Sequence, residues 1–279
     1  MATRATAPID EKADSVVRTT TIEGDKHVNT DRQTTVMKES KVKTTMITGS
    51  NLIRWTGLST IVAGVIFAAI QPIHPADVVG SVNTGAWAII TGLKTAMCLL
   101  LLLGIVGLYA RHVNKAGWLG LVGFLLFSLS WAIQTAFVFT ESFILPPMAS
   151  LAPKFVDGIL GISYGRASEV DLGAAPAIYQ LVVGGGYILG GLLFGIAIFR
   201  AGILPRWATG LLAATAALTP LAALFPHNIQ RLAAMPMGLA LACLGYALLT
   251  ERRAQASEEQ ASETMPGKVS AQLSQTAAR

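Results

Sequence analysis

The stretch that decides the fold is Ala86-Trp-Ala-Ile-Ile-Thr-Gly-Leu-Lys94-Thr-Ala-Met-Cys98-Leu-Leu-Leu-Leu-Leu-Gly-Ile-Val-Gly107-Leu-Tyr-Ala110, which carries a single charge, Lys94. A helix needs about 20 mainly apolar residues to cross about 30 Å of hydrocarbon. A barrel strand would be about 10 residues long and would alternate polar with apolar. This run is longer and apolar on every side. In lipid its backbone polar groups must pair within the segment, so it reads as a transmembrane helix.

Outward from it, five more stretches share this character: Leu52–Gln71, Trp118–Thr140, Ala177–Phe199, Trp207–Phe225 and Leu232–Leu249. The six together predict an all-α fold, a six-helix transmembrane bundle over residues 51–253. Residues 1–50 and 254–279 are polar and of mixed charge. Such segments bury too little apolar surface to offset ordering entropy, so both read as disordered tails. Across the chain, 52% of residues are hydrophobic and 13% charged. A soluble domain carries about 25% charged residues. That excludes an ordinary soluble globule, a disulfide scaffold and a disordered chain.

Lys and Arg set the orientation. Counting both tails, 17 fall on one side of the predicted spans and three, Lys154, Arg166 and Arg231, on the other. Both termini are therefore expected in the cytoplasm of a plasma-membrane protein, with the loop 142–176 outside and the first span serving as the uncleaved targeting segment. The net charge of +5 resides in tails and short loops rather than on one face, so no nucleic-acid partner is expected. The expected partner is the lipid bilayer. Cys98 and Cys243 fall inside spans and read as small packing residues.

The odd-numbered spans open alike, at Trp55-Thr-Gly-Leu58, Trp118-Leu-Gly-Leu121 and Trp207-Ala-Thr-Gly-Leu211. This reads either as three repeated helical hairpins or as the ordinary gathering of Trp at membrane interfaces. The fourth span holds Gly186-x-x-x-Gly190 and Gly191-x-x-x-Gly195. Small residues let helices approach closely, within the chain or across a homo-oligomer seam. Pro220 and Pro236 should bend the fifth and sixth spans. In the long outer loop, Phe155, Val156, Ile159 and Leu160 follow helical spacing, as in a short helix lying on the outer leaflet. Gly158 and Gly161 weaken it.

Polar residues gather toward the outer face. Lys94 is the one charge well inside a span. Gln134 lies below the end of the third span and Glu141 at its rim. Gln71 ends the first span and Gln180 begins the fourth. Lys94, Gln134, Glu141, Gln71 and Gln180 are the candidate polar pocket, because an ionisable group within a membrane is costly and often functional. The other reading of Lys94 is a snorkelling side chain whose stem reaches up to the surface. Antiparallel neighbours joined by the short loop 111–117 would allow Lys94 to pair with Glu141. His74 and His227, beside Glu141, are weak metal candidates. Neither metal nor cofactor is expected.

The segments Gly107-Leu-Tyr-Ala-Arg111 and Gly117-Trp-Leu-Gly-Leu-Val-Gly-Phe124 resemble those of uncharacterised bacterial integral membrane proteins with about six spans. The resemblance implies a bacterial plasma membrane and carries no activity and no site residues. No P-loop, dinucleotide fingerprint, zincin helix or nucleophile elbow is present. Three function classes stay open. The first is a non-catalytic membrane anchor, sensor or assembly factor, favoured by the scarcity of inner-half polar residues beyond Ser128 and Thr209. The second is binding or transport of a small molecule or ion in the outward pocket, and the third is an intramembrane enzyme.

Overall fold

The computed structural model describes residues 49–264; side-chain surroundings are described for 52–226 and 229–251. The N-terminal tail, residues 265–279 and the side chain of His227 lie outside the described residues. Among those described, every regular element is helical. Helix α1 spans Gly49–Ile70. A continuous helical run, Gly85–Phe139, is broken at Gly117 (φ 56°, ψ −163°) into α2 (85–116) and α3 (118–139). A π-helical turn, Thr140–Ile144, carries α3 into the short α4, Leu145–Met148. Then come α5 (Pro153–Gly161) and α6 (Ala175–Ile178), a second π segment (Tyr179–Gly185), α7 (Gly186–Ala201), α8 (Arg206–Ala222) and α9 (His227–Thr264).

Among the described residues, four stretches are long and apolar enough to cross a membrane: Leu52–Ile73, Gly85–Met148, Ala175–Ala201 and Ile229–Glu251. The second contains the Gly117 reversal. At 17 residues α8 falls below the length of the others. The helices close into a ring: α2 packs on α1, α1 on α9, α9 on α8, α8 on α7, and α7 on α3. Contacts between α2 and the end of α3 complete it. One end, the turn end, carries Gly117 and Pro205. The other, the cap end, carries residues 71–84 and 140–178.

Glycines set the close seams. A Cβ on Gly64 would lie 2.5 Å from Ala242 N, and one on Gly245 would lie 2.7 Å from Gly57 O, so α1 and α9 meet backbone to backbone. Gly186 and Gly190 face α3, while Gly191 and Gly195 face α8. The four glycines of the two small-residue motifs, Gly186, Gly190, Gly191 and Gly195, are thus occupied within the chain, on two sides of one helix. Sequence reading missed the α1–α9 seam, whose signal was the seven-residue spacing of Gly57 to Gly64 and of Gly238 to Gly245.

Several local expectations need correction. The loop 111–117 does not exist, because α2 runs on through Ala116 and one glycine in the left-handed region reverses the chain. His112 is consequently buried, with Nδ1 2.6 Å from Leu108 O. The C-terminal tail is helical to Thr264, since Glu, Arg, Ala and Gln over 251–264 are strong helix formers. Helix α5 does form, but its apolar face does not lie on a leaflet. Val156 and Leu160 are buried against Val82, Trp87 and Leu145. Gly158 and Gly161 are small because Ser168 and Arg166 pack directly over them.

Candidate functional site

The turn half of the ring is filled by side chains. Tyr109 stacks on Phe124 at 4.3 Å, and Phe124, Phe127 and Phe194 form a cluster that reaches Trp131. Above Trp131 the filling stops. A cavity of about 720 Å³ occupies the cap half, walled by Phe67, Ile70, Val138, Val183, Tyr187 and Leu211 among others. Lys94, Glu141, His74, Asp77 and Arg231 lie at its polar end. This volume lies within the roughly 300–1,000 Å³ usual for small-ligand pockets, which are mostly apolar with a few placed polar groups.

Lys94 Nζ donates to Glu141 Oε2 at 2.6 Å, and the two side chains are only 14% and 16% exposed. Glu141 is not at a rim. The π turn continues its helix into α4, and α5 covers Leu145 above it. A π turn frees carbonyls from the regular ladder and is frequent at functional sites. Here Trp87 Nε1 donates to the Glu141 carbonyl at 3.0 Å. The second π segment behaves likewise, with Ser130 Oγ donating to Val183 O at 2.8 Å.

His74 joins the pair from α1's end. Its Nδ1 lies 2.7 Å from the Pro75 carbonyl, which can only accept, so Nδ1 carries the hydrogen. Its Nε2 then accepts from Lys94 Nζ at 3.2 Å, which assigns a neutral imidazole. Arg231, from α9, donates to Asp77 Oδ2 at 2.6 Å and to the carbonyls of His74 and Pro75 at 3.0 and 3.2 Å. Burial pushes the Asp77 carboxyl above the usual carboxylate range, with Arg231 opposing that shift. The cluster thus holds two compensated ion pairs and a neutral histidine.

Of the sequence candidates, Lys94, Gln134, Glu141 and Gln71 line this cavity. Gln71 donates locally to Phe67 O at 3.0 Å. Gln180 does not. It faces a smaller hollow of about 340 Å³ and ties the second π segment to Ile162 O at 2.9 Å, while its neighbour Tyr179 takes the cavity side. Asp77, Arg231 and Tyr164, a cavity-lining residue whose Oη lies 3.5 Å from the Arg231 guanidinium, were missed. A signal existed, since Asp77 and Arg231 are the lone charges of the first and last predicted outer loops. Trp131 Nε1 and Gln134 Oε1, on two cavity-lining residues, are buried without hydrogen-bond partners. Among the described residues, no group of three or more His, Cys, Asp or Glu side chains is arranged to hold a metal ion.

No protein-family model, curated protein or solved structure matches the chain. The site's chemistry is therefore read from its own residues. It can hold the polar end of a ligand among paired charges while an apolar body lies against aromatic and aliphatic walls. Lys94, His74 and Glu141 also form a continuous hydrogen-bonded chain.

Proposed function

We propose that the chain is a six-span plasma-membrane protein that binds a small molecule in its cap-half cavity. Four apolar helical stretches support membrane insertion. The count of six rests on dividing 85–148 at Gly117 and including α8. Both termini would lie in the cytoplasm and the cap outside, as the Lys/Arg asymmetry directs. The exposed Trp55, Trp118 and Trp207, each at the turn end of its helix, suit an interfacial belt. They are equally compatible with three repeated hairpins.

The observation that carries the binding reading is the cavity itself, a chamber of about 720 Å³ with two compensated ion pairs, Lys94–Glu141 and Arg231–Asp77, at one end of mainly apolar walls. An anchor or scaffold has no need of such a chamber, and close packing would fill it. Native mass spectrometry of the purified protein tests the reading. A retained small-molecule mass that weakens in Lys94→Met is expected, and a bare chain under every gentle condition contradicts it. Topology is tested separately with Glu169→Cys, on an exposed cap residue. An impermeant thiol reagent should label it in intact cells, and labelling only after lysis would invert the orientation.

A further inference from the structure

We infer that the ligand is a small amphiphile with one apolar body and a polar head of no net charge, and that it enters sideways from the lipid between the cap halves of α8 and α9. The inference rests on the binding of a small molecule in the cap-half cavity and adds both the ligand's chemistry and its route.

The route follows from which cavity residues also face outward. Leu218 and Leu221 on α8 and Ile229 on α9 line the cavity, yet they are 57%, 55% and 43% exposed. Ala214 and Ala233 are likewise cavity-lining and exposed. The cavity therefore opens between these two helices, and the edges of the opening are apolar. Its rim is made of side chains that suit hydrocarbon and leave few partners for water. Elsewhere the ring is closed by glycines in direct contact with a neighbouring backbone, as at α1–α9 and α3–α7. In the α8–α9 pair the one α8 glycine, Gly210, meets only Phe199. Each helix carries an internal proline near the opening, Pro220 and Pro236. Proline removes a backbone hydrogen bond and bends a helix.

The head follows from the charges. Lys94 is paired with Glu141 and Arg231 with Asp77, while His74 is assigned as neutral. An anionic head would have to displace a carboxylate that already holds its base within hydrogen-bond distance. A head without net charge leaves both pairs intact. The apolar body fits the walls formed by Phe67, Tyr187, Leu211 and Leu218.

The test uses tryptophan fluorescence in vesicles. In a background of Trp55→Phe, Trp118→Phe and Trp207→Phe, the remaining indoles are Trp87 and Trp131, both buried. The probes are a brominated monoacylglycerol, a brominated fatty acid and a water-soluble brominated alcohol. The monoacylglycerol should quench saturably. Combining Ala214→Phe with Ala233→Phe should raise its half-saturation roughly tenfold, and either change alone should act in the same direction. Leu103→Phe, on the lipid-facing side of α2, should leave it unchanged. Tighter binding of the fatty acid overturns the uncharged head. Plug variants that quench like wild type overturn the route. If native mass spectrometry retains a ligand but the monoacylglycerol gives no saturable quenching, the amphiphile falls and the cavity reading stands. If neither signal appears, both fall.

Discussion

Gly190 and Gly184 lie six residues apart on one helical stretch and belong to different kinds of structure. A Cβ on Gly190 would fall 2.4 Å from the backbone nitrogen of Phe127, while one on Gly184 meets nothing nearer than the Tyr179 carbonyl at 3.9 Å. The first glycine exists so that α7 can touch α3. The second borders the cavity. The turn half of the ring is held by backbone approach and aromatic filling, where dispersion between closely packed surfaces drives association in lipid. The cap half instead has π turns, internal prolines and paired charges around unfilled space. Close backbone approach is not confined to the turn half, since Gly238 meets Ala68 near the cap end of α1; neither residue lines the proposed binding space, which lies against α3, α7 and α8 among others.

The largest expected effect breaks the turn half. Gly190→Leu must displace the backbone of α3, so it should cost about 3 kcal/mol or more and appear as loss of monodisperse protein in detergent. A well-behaved Gly190→Leu protein would show that this seam is looser than its geometry.

The next concerns the buried pair. Glu141→Gln leaves Lys94 without its carboxylate, and removing one partner of a buried ion pair is strongly destabilising. After allowing for partial water access, the expected loss is about 2–3 kcal/mol. A double-mutant cycle with Lys94→Met on thermal stability should return a coupling above about 1 kcal/mol. Zero coupling would mean that the lysine merely reaches for the surface.

A smaller effect is set by Asp77. Burial raises its folded-state pKa above the ordinary carboxylate value. The folded state therefore holds this proton more tightly than the unfolded state does. Its contribution favours folding in acid and is lost as pH rises through the folded pKa. As pH rises from the ordinary carboxylate value toward the raised folded-state value, wild-type stability should fall more steeply than that of Asp77→Asn. Identical slopes would place Asp77 in water.

Much of this was legible in sequence because lipid imposes simple demands. Apolar runs of sufficient length located α1, α2, α3, α7, α8 and α9 to within a few residues at most ends. The exceptions have physical causes. Gly117 reverses the chain alone, where a seven-residue loop was expected, and Glu and Ala extend α9 well past the apolar run. Each π turn shifts the facing of the residues beyond it, and the second puts Tyr179 rather than Gln180 at the cavity. Lys94, Gln134 and Glu141 were visible as polar exceptions in apolar runs. The Asp77–Arg231 pair joins residues 154 positions apart, and periodicity carries no information at that separation. Nor does any local pattern show that the cap half is hollow.

Gly184→Leu probes ligand binding in the cap half itself, because it fills the cavity from a position with room for a side chain. Native mass spectrometry of this variant beside wild type is the measurement. A folded variant of near wild-type thermal stability that has lost the retained ligand mass is expected. A Gly184→Leu protein that keeps the ligand at wild-type occupancy would place the binding site elsewhere and contradict binding in the cap half.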